Sequence, residues 1–390
     1  MFKILLIINA IAFIAGQVAR IKISDGVAIT LLDLSVLVTV ATWVIFTLYK
    51  KNKVTGKLKL GIIAFVISCV ISLTANSWNY SIPQLGIASL YLCRFVAYTC
   101  MYFIVKYQSK KKKELILSTM FITGTVVLFL GFLQYAFYPD LRGWYYLGWD
   151  EHLYRMFGTF LDPNYFGSFL VIFFLFSFQL KGEVLKRSNW KIILLLLCII
   201  LGVLLTYSRS AVVMSIVGIV TYFFLKKEYL KMLGVGVLFL LSVLLVANYR
   251  IEGLNPFRIA STTARIESAN NAFQIIKDHP IFGVGFNTYR YAQNEYGFRD
   301  SSFWMTSHAD AGTDNSILFI LATTGILGLT TYVFLIKRIG SLRNSLDKNQ
   351  KVFFLTICIT LLVGSMFNNL LFYTPFMVWI WVYLGVMENK

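Results

Sequence analysis

Apolar runs of about 20 residues recur along the whole of this chain. Each is long enough to cross a bilayer core of about 30 Å as a helix. Of the 390 residues, 58% are hydrophobic and only 14% charged, with mean hydropathy +0.70. No soluble domain buries that much apolar surface. The chain therefore reads as an all-α polytopic membrane protein, a single integral membrane domain over 1–390 with about 12 transmembrane helices. The spans fall near 3–19, 28–49, 58–77, 85–106, 115–138, 163–180, 190–206, 210–225, 229–248, 315–336, 351–367 and 370–387.

Threading these spans in order divides the basic residues by type. One side receives 21 lysines and three arginines; the other receives nine arginines, two lysines and all three histidines. The lysines cluster in the connections near 50–57, 107–114, 181–189, 226–228 and 337–350, including the run Lys110 to Lys113. Lysine-rich loops are retained in the cytoplasm, which puts both termini there. Nine arginines on the opposite face run against that rule. Arginine is an always-charged planar fork that grips phosphate through two parallel hydrogen bonds, so that face points to a phosphorylated ligand. The net charge of +18 is mostly lysine facing anionic headgroups of the bilayer. With no basic soluble domain, nucleic acid is excluded as a partner.

Cys69, Cys93, Cys100, Cys198 and Cys358 all fall in apolar segments and read as packing residues, neither disulfide framework nor metal set. Gly16-Gln17-Val18-Ala19 is a poor cleavage site, so the first apolar run is kept as a membrane helix.

Two connections on the arginine side are long: 139–162, and 249–314 between the ninth and tenth spans. The second carries Arg250, Arg258, Arg265, Arg290 and Arg299, and enough aromatic residues to argue against disorder. Within it Ser261 to Lys277 reads as an amphipathic helix with Ala269, Ala272, Phe273 and Ile276 on one face. His279-Pro280 stops that helix, and Gly283-Val284-Gly285 makes a tight turn. The two halves of the chain show no internal repeat, which many transporters have.

Four groups of residues on that side could carry chemistry. Arg155 precedes Gly158-Thr159-Phe160, and Asp162-Pro163-Asn164 has the form of a capped helix start; the bland role for Arg155 is an interfacial anchor. Thr206-Tyr207-Ser208-Arg209-Ser210 is a very short turn in which Tyr207 and Arg209 could hold a diphosphate. The third is Arg265 with the turn beyond it, Arg290 lying downstream. The fourth is His308-Ala-Asp310 with Asp314-Asn315 before the tenth span. His308 is an acid–base candidate near neutral pH, and Asp314 is either a site residue or a helix N-cap. Arg94, mid-span in the fourth helix, needs an internal acid or a substrate to neutralise it. The dispersed histidines and acids lack metal-ligand spacing. There is no Walker loop for ATP.

In this order, Gly158-Thr-Phe with Pro163-Asn164, Tyr207-Ser-Arg209-Ser, Arg265 through Ala272 to His279-Pro-Ile-Phe-Gly283-Val-Gly285, and Asp314-Asn315 through Leu318 to Gly325-Ile-Leu-Gly328 resemble the O-antigen ligase/polymerase superfamily of bacterial membrane glycosyltransferases, Wzy-type polymerases included. The resemblance covers about 155–330. It implies a glycan carried on undecaprenyl diphosphate, transferred to an acceptor hydroxyl at the outer face of the cytoplasmic membrane without metal, cofactor or nucleotide sugar. It also implies that Arg209 and Arg265 bind the diphosphate. In the ligase branch a histidine occupies the position of Asp314, directly before the asparagine. Its absence favours the polymerase branch, with a chain-length regulator as a possible partner. The site expected on this basis has Arg209, Arg265, His308 and Asp314 in catalysis. Arg155, Tyr207, Arg290, Asn315, Asp310 and Arg94 would bind substrate. A glycan ligase is the alternative, and a lipid-linked sugar flippase the alternative outside enzymes.

Overall fold

The computed structural model describes residues 1–24, 26–183, 189–234, 237, 259–298, 305 and 311–388. Its helices are α1 (Phe2–Ala15), α2 (Leu31–Tyr49), α3 (Lys59–Ala75), α4 (Ile82–Lys106), α5 (Lys110–Phe137), α6 (Pro163–Glu183), α7 (Asn189–Leu205), α8 (Arg209–Lys226), α9 (Ile259–Asp278), α10 (Tyr289–Glu295), α11 (Ser316–Ser341), α12 (Lys348–Gly364) and α13 (Thr374–Met387). Among the described residues six helices, α2, α4, α5, α6, α8 and α11, are long and apolar enough to cross a membrane. Four shorter apolar helices, in α1, α3, α7 and α13, accompany them. The expected ninth span, 229–248, lies largely outside the described residues.

Polar caps set where several helices begin. Thr30 and Asp33 form a reciprocal box at the start of α2, and Asp347 accepts from the Gln350 N–H at the start of α12, 2.9 Å. Each satisfies a backbone N–H that the first helical turn leaves unpaired. Helix α4 packs on α13, α3 on α11, and α8 on α12.

One element departs from the all-α expectation. The connection 20–27 together with residues 28–30 of the expected second span forms an antiparallel hairpin, β1 (Arg20–Ser24) paired with β2 (Val27–Thr30). The alternating stretch Arg20-Ile-Lys-Ile-Ser24 has the period of two that separates the faces of a strand. Ile21 and Ile23 are exposed on one face.

The lysine connections come together at one end of the bundle. Lys57 donates its backbone N–H to the Glu388 carboxylate at 3.2 Å, Lys106 pairs with that carboxylate at 3.0 Å, and the Tyr102 hydroxyl also donates to it. Lys113 Nζ donates to the Glu388 carbonyl at 2.7 Å. Lys226, from another connection, reaches Asn349 Oδ1 at 2.6 Å.

Helix α11 is broken at Gly325, whose φ of 62° and ψ of −164° are not helical. The segment Pro280–Gly285 docks into the break. Val284 and Gly285 donate their N–H groups to the carbonyls of Ala322 and Thr323 at 3.0 and 2.9 Å. Ile326 donates to the Pro280 carbonyl at 2.9 Å and Leu327 to that of Ile281 at 3.3 Å. Ser72 Oγ adds a bond to the Thr323 carbonyl at 2.7 Å, and Asn76 Nδ2 one to the Gly283 carbonyl at 3.0 Å. Non-helical backbone is tolerated between membrane helices only where other protein groups satisfy it. The Gly283-Val-Gly285 turn and the Gly325 break are thus two halves of one joint.

Candidate active site

The joint orients two arginine-bearing helices. On α9, Ala272 and Ile275 are fully buried while Phe273 is 56% exposed. The inward face therefore includes Ile275 rather than the Phe273 that the periodicity suggests, and Arg265, which lines the cavity, lies seven residues before Ala272, two turns along the same side. Beyond the joint, Phe286 inserts among Phe65, Phe95 and Phe372, and α10 follows with Arg290.

A cavity of ≈ 680 Å³ gathers Arg20, Arg94, Arg155, Arg209, Arg265 and Arg290. Tyr207 and Asp314 line it as well. Arg155 is no interfacial anchor, because its Nε donates to the Thr206 carbonyl at 2.9 Å and its Nη2 to Asn164 Oδ1 at 3.2 Å and the Tyr207 carbonyl at 3.4 Å. The first two sequence groups are therefore tied to each other through one guanidinium. Arg209 is the first residue of α8, directly after Ser208, whose Oγ accepts from the Ala211 N–H at 3.4 Å.

Asp162 fulfils its expected capping role, its Oδ1 accepting from the N–H groups of Asn164 and Tyr165 at 2.6 and 3.1 Å. Burial raises its pKa, against the pull of those two N–H groups and of Arg155 and Arg265. Asn315, not Asp314, caps α11, accepting from Ile317 and Leu318 at 2.8 and 3.1 Å. The amide is occupied with the helix start, and the carboxylate beside it faces the cavity. His308 and Asp310 lie outside the described residues.

Arg94 finds the internal acid that its mid-span position demanded. Its Nε lies 3.0 Å from Asp33 Oδ1, and its Nη2 donates to Asp33 Oδ2 at 3.1 Å and to the Ala28 carbonyl at 2.7 Å. The Arg290 guanidinium donates to the Met305 carbonyl.

Two residues at the cavity, Asp150 and His152, escaped the sequence reading, as did the cluster they form with Asp162. Asp150, His152 and Asp162 come together with potential ligand atoms within 4.8 Å of one another, although the acids and histidines are dispersed along the chain. A guanidinium and the capping N–H groups already occupy part of this trio, with Arg155 Nη1 3.4 Å from His152 Nδ1. The spacing His152-x-x-Arg155 was the available signal. Arg20 was missed because its hairpin passed for a plain connection.

Backbone strain concentrates here. Among the described residues six non-glycine residues have positive φ. Leu161 (φ 56°), Tyr207 (φ 48°) and Asn287 (φ 61°) line the cavity, and Tyr154 (φ 52°) directly precedes Arg155. Such conformations cost on the order of 1–3 kcal/mol each and collect at functional sites.

Residues 193–333 match the family model described as O-antigen ligase. That range holds Arg209, Arg265, the joint at Gly325 and Asp314. The resemblance to the O-antigen ligase/polymerase superfamily is borne out. The chain is also 25% identical over 323 residues to the teichuronic acid biosynthesis protein TuaE of Bacillus subtilis (strain 168), over 74% of this chain and 64% of that protein. The chain spans less than two thirds of that relative's length.

Proposed function

We propose that the chain is a polymerase of polyprenyl-diphosphate-linked repeat units, with undecaprenyl diphosphate as the carrier. The growing glycan passes from its carrier onto a new lipid-linked repeat. The observation that carries this reading is the convergence of Arg155, Arg209 and Arg265 on one cavity, within the region matched to the superfamily. By the charge rule, the lysine end is cytoplasmic and the cavity opens toward the outer face.

In the reaction, the bond between the anomeric carbon and the carrier phosphate oxygen breaks, and its electron pair leaves with the diphosphate. An acceptor hydroxyl oxygen bonds to the anomeric carbon and loses its proton to a base. Arg209 and Arg265 stabilise the charge developing on the diphosphate, with Arg155 behind them. Asp314 is the described carboxylate proposed to take the proton, while His308 and Asp310 fall outside the described residues.

The test uses purified protein with one synthetic lipid-diphosphate repeat and no other acceptor. A ladder spaced by one repeat is the expected product. Transfer only after a different acceptor is added would make the chain a ligase, the reading that the family model's own description favours. No transfer in either assay would return lipid-linked sugar transport to the front.

A further inference from the structure

Six arginines are more than one diphosphate needs, and they fall into two groups. Arg155, Arg209 and Arg265 belong to the side built from the 152–164 segment, α8 and α9. Arg20, Arg94 and Arg290 belong to the side built from the hairpin, α4 and α10. The hairpin is bound into its side. Its Gly26 carbonyl accepts from the Tyr91 hydroxyl at 3.3 Å and its Ala28 carbonyl from Arg94. A Cβ placed on Gly26 would stand 4.0 Å from Arg290 Nη1.

Arg94 and Arg20 differ in what balances their charge. Arg94 has Asp33. Arg20 faces the Trp149 ring at 5.6 Å, and among the described residues no carboxylate is in ion-pair contact with it. Burial lowers its pKa and Arg94 and Arg290 push the same way, while Tyr91 and Tyr373 oppose them. A guanidinium held half-buried beside two others is unfavourable until an anion arrives. The opposite face of the strand carries exposed Ile21 and Ile23, so the charge stands behind an apolar edge that suits a lipid tail.

We infer that Arg20, with Arg290, forms a second diphosphate subsite that receives the lipid-linked acceptor, while Arg155, Arg209 and Arg265 receive the donor. This rests on the glycan-transfer reading above and assigns its lipid-linked acceptor a place of its own in the same cavity. Two parallel N–H bonds from the Arg20 guanidinium match phosphate oxygens. Neither Gln nor Lys reproduces that fork.

Stoichiometry tests the subsite independently of turnover. Native mass spectrometry of the purified full chain with polyprenyl diphosphate alone should show up to two carriers bound to wild type. One should remain on Arg20→Gln and one on Arg209→Gln. A maximum of one on wild type, or two on Arg20→Gln, overturns the inference while leaving the transfer assay to judge the function. A uronate-bearing repeat oligosaccharide without diphosphate is the third probe. If Arg20→Gln loses that ligand and keeps both carriers, the subsite reads a sugar carboxylate and the diphosphate assignment falls. With labelled donor and acceptor supplied separately, Arg20→Lys should raise the acceptor KM about tenfold and leave the donor KM unchanged. An equal rise in both contradicts an acceptor site.

Discussion

Gly325 and Ile281 meet so closely that a Cβ on Gly325 would stand 2.2 Å from the Ile281 carbonyl oxygen. The contact closes the joint between the broken helix and the segment that leads into Arg290. Gly325→Ala would combine this clash with a positive φ that side chains rarely adopt. Strain alone should cost roughly 1–3 kcal/mol, and the displaced segment would carry α9 and α10 away from the cavity. Thermal unfolding of the purified variant should show a clear drop in Tm, with transfer lost. A Tm within error of wild type would show that the joint tolerates a side chain.

Arg94 and Asp33 form an ion pair at the inner wall of the cavity. Removing only Asp33, as in Asp33→Leu, leaves a guanidinium without its carboxylate, and should destabilise by about 3–5 kcal/mol. The double variant Asp33→Leu/Arg94→Leu should recover much of that. A double-mutant cycle read by thermal unfolding checks it, and simple additivity would disprove coupling.

Asp162 gives a pH dependence with a defined sign. Its folded pKa lies above the ordinary value of 3.8, so the folded state prefers the protonated acid. The associated stability is present below that value and is lost as pH rises through the folded pKa. Asp162→Asn keeps an oxygen for the N–H groups of Asn164 and Tyr165. It should melt higher than wild type above this window, with the gain vanishing toward pH 4. A difference constant from pH 4 to 8 would rule out titration of Asp162 as its origin.

Arg209→Gln and Arg265→Gln should each lower turnover by roughly 10²–10³ with protein levels unchanged, as expected for lost donors to a leaving group. Asp314→Asn should lower kcat by about 10²–10⁴ with little change in KM. Laddering of polymer in cells expressing each variant is the check. A wild-type ladder from Arg265→Gln would remove that residue from the site.

The membrane class and most helix positions were legible because they depend on run length alone, as the overlap of the expected span 28–49 with Leu31–Tyr49 illustrates. Five of the six arginines at the cavity, all but Arg20, were legible because burying a guanidinium is costly enough that each one near a membrane demands a reason. What stayed hidden depends on contacts distant in sequence. Nothing local to Gly325 says that its helix breaks, since the freed carbonyls find partners some 40 residues away at Val284 and Gly285. The histidines and acids are dispersed in sequence, and only the fold sets His152 beside Asp150 and Asp162. Asp314 and Asn315 could each have capped α11, and only the orientation of the Asn315 amide decided between them.

In the β1–β2 hairpin, Arg20 points to the cavity while its neighbour Ile21 points out. Because side chains alternate along a strand, displacing the pairing by one residue would exchange the two rows. The cavity would then be lined with isoleucine, and the guanidinium would face oil. The register irregularity between Lys22 and Ser24 sits within this strand, so the polarity of the wall depends on a single-residue offset rather than on composition. Inserting or deleting one residue there would turn the wall inside out while leaving the sequence almost unchanged.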